Sequence, residues 1–156
     1  MEAKYFEIEL IACETSVEDI LDLIGKNRVF ELGGTVNTKY RDYAAEDILE
    51  KLAAQGINSK KPDHYEDDGA SIIMVGMFVD EPDFERVEKW LDDSKVYVQN
   101  ICCIEKGSTV FVQTQDGVLN VEFSCNVIGF KDNYIIVEDF DEDVFDVSPE
   151  DIISVD

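Results

Sequence analysis

The chain has 156 residues, 45% of them hydrophobic, and its 36 acidic and 13 basic residues give a formal net charge of −23. The apolar share predicts a packed core in one large domain or two small ones and excludes an intrinsically disordered chain. The charge disfavours direct nucleic-acid binding, which needs a basic patch, and no apolar run reaches the roughly 18 residues of a membrane span.

The opening, MEAKYFEIEL, is charged and alternating rather than signal-like, so a cytoplasmic protein is expected. Phe6, Ile8 and Leu10 alternate with Glu7 and Glu9, the pattern of a strand with one wet face. Thr15-Ser16-Val17-Glu18 has a capping-box pattern. It opens a short helix with Ile20, Leu21, Leu23 and Ile24 on its apolar side and Gly25 at its end. A strand over 28–39 follows, with Gly33-Gly34 expected as a bulge or bend. Asp42 is placed to cap a helix over 43–55, whose apolar side holds Ala45, Ile48, Leu49 and Leu52 and which Gly56 stops. Residues 57–70 are polar and turn-rich and are expected as the longest loop. A strand over 71–79 leads to Pro82 at the start of a third helix, with Asp83 and Glu85 in its first turn. Phe84, Val87, Trp90 and Leu91 lie at helical spacing there, and Trp90 is expected to anchor the core. A strand over 96–105 closes this part.

Beyond Gly107 no helical period remains. Strands are expected over 109–114, 118–124, 126–130, 133–138 and 144–147, with turns at Asp116-Gly117 and Lys131-Asp132-Asn133. One 3₁₀ turn at Pro149-Glu150-Asp151 precedes a last strand over 152–155. The expected fold class is therefore α+β. A mixed or antiparallel sheet with about three helices occupies a domain over 1–106, and a small all-β domain spans 107–156. Charge divides at the same place. Residues 1–106 hold 24 acids and 12 bases, net −12, whereas 107–156 hold 12 acids and the single base Lys131, net −11.

The segments GSTVFVQT, GVLNVEF, VIGFKDNYIIVED, VFDV and PEDIISV, about fifty residues, resemble a small SH3-like barrel. The resemblance implies a small barrel with a short 3₁₀ turn before its final strand. Barrels of this kind bind proteins or nucleic acids, and this one lacks the basic residues of a nucleic-acid binder.

Catalytic and metal motifs are scarce. Asp139, Asp141 and Asp143 stand at positions one, three and five of a calcium loop, with Glu150 at position twelve. Position six, which needs glycine, is Val144, and position eleven is Pro149, so no metal site is expected. Cys13, Cys102, Cys103 and Cys125 have neither zinc nor disulfide spacing and read as reduced thiols. The only histidine, His64, sits in the polar loop. No phosphate-binding glycine motif is present, no cofactor is expected, and no enzyme activity is expected.

What remains is acidic surface. Glu18, Asp19 and Asp22 lie on the first helix, Glu46, Asp47 and Glu50 on the second, and Glu66, Asp67 and Asp68 in the long loop. Asp80, Glu81, Asp83 and Glu85 surround the start of the third helix. The stretch EDFDEDVFDVSPED, residues 138–151, is the densest: eight acids and no base. Solubility needs a net charge of only about 2–8 for a small domain, and self-repulsion of a larger charge costs stability. The excess points to a positive partner. The candidate partner-binding residues are Glu138, Asp139, Phe140, Asp141, Glu142, Asp143, Phe145 and Asp146, carboxylates that steer and aromatics that anchor. A charge of −23 matches about 12 base pairs of duplex, roughly 40 Å of axis at one charge per 1.7 Å.

In size and acidity the chain resembles phage-encoded anti-restriction and anti-CRISPR proteins that mimic DNA. That resemblance implies an inhibitor seated on the basic nucleic-acid channel of a CRISPR effector or restriction enzyme. An immunity protein or antitoxin against a basic nuclease toxin uses the same physics. A cytosolic adaptor whose barrel binds an ordinary protein, marked by an exposed apolar patch, is the other reading.

Overall fold

The computed structural model describes residues 2–37, 42–57, 59, 64–66, 70–94, 97–116 and 119–156. They form two compact units, Phe6–Cys102 and Met1–Tyr5 with Cys103–Asp156. The fold is α+β with two sheets, and among the described residues no helix is long and apolar enough to cross a membrane.

In the first sheet β1 (Ala3–Ile11), β2 (Arg28–Asn37), β3 (His64–Glu66), β4 (Ile72–Asp80) and β5 (Val98–Ile104) stand in the order β3-β2-β4-β1-β5. Strands β2 and β4 are antiparallel, and β2 and β3 parallel. The end of β1 meets the starts of both its neighbours. Ala12 N–H donates to the Ser71 carbonyl at 2.9 Å and Ile11 N–H to the Tyr97 carbonyl at 2.8 Å, so β1 runs against β4 and β5. Helix α1 (Val17–Ile24) joins β1 to β2, and α3 (Phe84–Asp93) joins β4 to β5. Each joined pair is split by one strand of the other, which is the ferredoxin-like arrangement of two interlocked β–α–β units. Helix α2 (Ala44–Ala54) and β3 are inserted between β2 and β4.

The alternation seen in the sequence is what packs this unit. Phe6, Ile8 and Leu10 of β1 are buried, as are Ile73, Val75, Met77 and Val79 of β4. So are Ile20, Leu23 and Ile24 of α1, Ala45, Ile48, Leu49 and Leu52 of α2, and Val87 and Leu91 of α3. Trp90 is only half-buried, so the smaller Val87 and Leu91 anchor α3 in its place. The capping box of α1 sits one residue beyond its expected start. Ser16 Oγ accepts from Asp19 N–H at 3.2 Å, and Asp19 Oδ2 accepts from Ser16 N–H at 3.0 Å. Gly25 ends the helix at φ +56°.

The expected bulge at Gly33-Gly34 is absent: both glycines pair in register with Met74 and Ile73, and the irregularity lies between Val29 and Glu31. Much of the stretch expected as the longest loop, together with the Asp116-Gly117 turn, lies outside the described residues. Within that stretch β3 adds a short strand to the sheet.

A polar knot closes one end of the unit. The Ser71 hydroxyl is fully buried, donates to the Asp42 carbonyl and accepts from Asn37 N–H at 3.0 Å. The Asp42 carboxylate accepts from Ser71 N–H at 3.2 Å and from Ala44 N–H at 3.2 Å. At the other end Arg86 of α3 grips Asp83 with two hydrogen bonds of 2.8 Å and donates to the carbonyls of Leu23, at 2.9 Å, and Asp22. One guanidinium thus satisfies carbonyls left open at the end of α1. The Arg86 hydrogen bond holds the Asp83 carboxyl below its ordinary pKa. This contribution to stability is present above the unfolded pKa and is lost as pH falls through the folded one.

Glu7 behaves in the opposite sense. Burial, then the charges of Glu31 and Glu9, push its carboxyl pKa up. The folded state then binds a proton more readily than the unfolded state, so ionised Glu7 destabilises the fold at neutral pH and relaxes as pH falls through its raised pKa. Glu7→Gln is expected to raise the melting temperature at pH 7, with the gain shrinking toward pH 4 in paired thermal melts.

In the second sheet β6 (Thr109–Asp116), β7 (Leu119–Lys131), β8 (Tyr134–Glu138) and β9 (Val144–Val147) form an antiparallel meander. A 3₁₀ turn at Pro149–Asp151 leads into β10 (Ile152–Val155), which returns to pair with β6, giving the order β10-β6-β7-β8-β9. Among the described residues no ladder joins β9 to β10, so the sheet is open. The two strands expected over 118–124 and 126–130 are one 13-residue strand, bent by a register shift between Val127 and Gly129. Val110, Val112, Cys125, Val127, Ile135, Val137 and Val147 fill the inner face.

Candidate protein-binding site

The densest acidic stretch folds as a hairpin tip. Strands β8 and β9 pair Ile135 with Val147, Ile136 with Asp146, Val137 with Phe145 and Glu138 with Val144. Residues 139–143 make the turn. Asp139 organises it from both sides: its N–H donates to the Asp143 carbonyl at 3.1 Å, and its carbonyl accepts from Glu142 N–H at 3.2 Å. Its Oδ1 accepts from the N–H groups of Asp141 at 2.9 Å and Asp143 at 3.0 Å. An aspartate at this place stands in for a strand partner, which is why the chain turns here without glycine. Glu142 carries the left-handed backbone, at φ +62°.

The consequence is a concentration of charge. One carboxylate oxygen from each of Asp139, Asp141 and Asp143 lies within 4.8 Å of the others, with Asp141 and Asp143 exposed. Backbone N–H dipoles offset the repulsion at Asp139 only. Among the described residues no salt bridge reaches a carboxylate of 138–151; Lys4, Lys51, Arg86 and Lys89 pair instead with Glu105, Asp47, Asp83 and Asp93. Among the described residues no ion pair compensates the field of this tip. It is felt beneath the sheet as well: burial and the charge of Asp139 push the Cys125 thiol pKa up, so Cys125 stays protonated as a small core residue.

Two aromatic side chains of the stretch have different roles. Phe140 is 90% exposed at the tip, between the carboxylates. Phe145 is 37% exposed and packs edge-on against Phe123 with ring centroids 5.8 Å apart, so most of its surface supports the sheet. Asp146 lies on the opposite face of β9 and is exposed. The eight residues singled out in the sequence thus form one hairpin, with Phe140, Asp141, Glu142 and Asp143 at its exposed end and Asp139 and Phe145 partly committed to holding it.

An open cleft of about 710 Å³ lies in the other unit, lined by Cys13, Ser16 and Val17 near the start of α1 and by Asp47, Ile48 and Lys51 of α2. Cys13 sits on a 3₁₀ turn and is exposed. All four cysteines are free thiols. The Lys51 ammonium is engaged by Asp47 at 3.0 Å. The side chain of His64 lies outside the described residues. No family model, curated protein or solved structure matches the chain.

Proposed function

We propose that this protein is an acidic, protein-binding inhibitor that occupies a basic nucleic-acid-binding surface, with a CRISPR effector or a restriction enzyme as its target class. The observation that carries the reading is Phe140, a large aromatic left 90% exposed on a turn that holds Asp139, Asp141, Glu142 and Asp143. Exposing a phenylalanine forgoes roughly 1.5–3 kcal/mol of burial, and a partner's pocket recovers it. The surrounding carboxylates steer encounter with a positive surface, and the ring then slows dissociation. The net charge of −23 supports the same partner chemistry. The C-terminal sheet, with its meander, its 3₁₀ turn and a final strand returned to the first, is read as an SH3-like small barrel that presents this hairpin.

A nuclease toxin neutralised by an immunity protein offers the same positive surface and is distinguished by the partner captured. The adaptor reading draws on exposed Ile128, Tyr134 and Val144, and it predicts binding indifferent to salt. The test is capture of purified CRISPR effectors, restriction enzymes and nuclease toxins at low and high salt, with duplex DNA as competitor. Capture that fails at high salt and is displaced by DNA supports the inhibitor reading. Capture that survives both conditions, or no capture of any basic enzyme, overturns it.

A further inference from the structure

Sheet edges invite strands from other chains, and natural edges are blunted by lysine, proline, bulges or cover. The second sheet has two edges, β10 and β9. Strand β10 carries a register shift between Ile152 and Ser154, which spoils it as a template. Strand β9, Val-Phe-Asp-Val, has no lysine and no proline, and its pairing with β8 is unbroken over four residues. Among the described residues nothing pairs with its outer side.

The hydrogen-bond parity of that side follows from the turn. Asp139 N–H donates to the Asp143 carbonyl, so these two residues form a bonded pair. Bonded and non-bonded pairs alternate along an antiparallel ladder. Phe145 and Val147 therefore bond to β8, and Val144 and Asp146 aim their N–H and C=O groups outward. Their side chains are exposed too, Val144 at 54%. What guards this edge is charge alone: residues 134–151 hold eight acids and no base. That guard repels a second copy of the chain and any acidic strand, and it attracts a basic one.

We propose that the outer edge of β9 is a docking strand for an extended, lysine- or arginine-rich segment of a partner protein, which adds to the sheet as a sixth strand. The proposal rests on the charge-driven reading above and supplies its mode of contact. Main-chain bonds to Val144 and Asp146 hold the segment. Alternate side chains of the added strand fall beside Val144 and Asp146 on one face, where Glu138 stands one strand further in, and beside the exposed rim of Phe145 on the other, so the segment that fits alternates basic with apolar residues.

The experiment titrates the full chain with an eight-residue peptide alternating lysine and valine and follows backbone amide hydrogen exchange. In the free protein the Val144 and Asp146 amides exchange fast and those of Phe145 and Val147 slowly. On saturation the Val144 and Asp146 amides are expected to slow at least tenfold. Val144→Pro removes one outward N–H and leaves the net charge at −23, and it is expected to weaken the peptide at least tenfold. If that variant fails to fold, exchange in the wild-type chain decides alone. Peptide bound without slowing of these amides, or bound equally by Val144→Pro, overturns the docking strand and leaves the charge reading standing. No peptide binding also overturns the docking strand, and capture of basic enzymes then decides the charge reading by itself.

Discussion

Asp141→Lys combined with Asp143→Lys is expected to slow association with a basic target by one to two orders of magnitude at low salt, with the gap closing as salt rises. The substitutions move the net charge from −23 by four units, all at one tip. The turn itself survives, because the bonds that shape it run from the backbone N–H groups of residues 141 and 143 to Asp139, and lysine keeps those N–H groups. Removing the convergence of three carboxylates within 4.8 Å also relieves repulsion, so the double variant melts no lower than the parent. Phe140→Ala acts on the other rate. The ring is 90% exposed, so its removal leaves the fold unchanged. A buried aromatic anchor is worth about 2 kcal/mol or more, so dissociation is expected to speed up about 30-fold with the association rate preserved. Stopped-flow or biolayer measurements at two salt concentrations separate the two effects. Normal binding by the double variant would reduce the acidic hairpin to a solvated turn.

The sequence made most elements legible because their physics is local. Alternation at Phe6, Ile8 and Leu10, the Gly25 stop, and the 3₁₀ turn at Pro149–Asp151 all depend on neighbours within a few residues. The candidate hairpin was legible for the same reason, since its charge and its strand pattern are contiguous. What escaped is long-range. The three-way knot of Asn37, Asp42 and Ser71 joins residues up to 34 apart, and nothing around Ser71 marks it as buried. Arg86 lies more than 60 residues from the α1 carbonyls it serves. Trp90 lies shallower than expected because helical spacing gives the face of a residue and not the depth to which a large ring sinks. The bend in β7 reads in the sequence as a break between strands because a bulge and a turn interrupt alternation alike. The ordering role of Asp139 was likewise hidden: its place among five acids says nothing of which one faces the backbone.

Gly33 and Gly34 look interchangeable in the sequence, and the structure separates them. A Cβ built on Gly34 meets the Ile72 carbonyl oxygen at 2.4 Å and the Ala45 Cβ at 3.5 Å. The oxygen belongs to the backbone of β4, the strand paired with β2, so it yields only if the ladder shifts. Gly34→Ala therefore forces β4 away from β2 in a core where Ile73 is fully buried, whereas the Ala45 Cβ of α2 is only in ordinary contact. Overpacking of this kind costs about 3 kcal/mol, a large share of the stability of a domain this size. At Gly33 a Cβ meets no atom within 4 Å, and the backbone is not left-handed. Gly33→Ala removes only the freedom that glycine gives the unfolded chain, and a gain of about 0.5 kcal/mol is expected. Urea denaturation of the two single variants should move the midpoint in opposite directions, Gly34→Ala sharply down and Gly33→Ala slightly up. Equal losses at both positions would mean that the pair marks a bend after all, and that the close approach of β2 to β4 is not what requires glycine here.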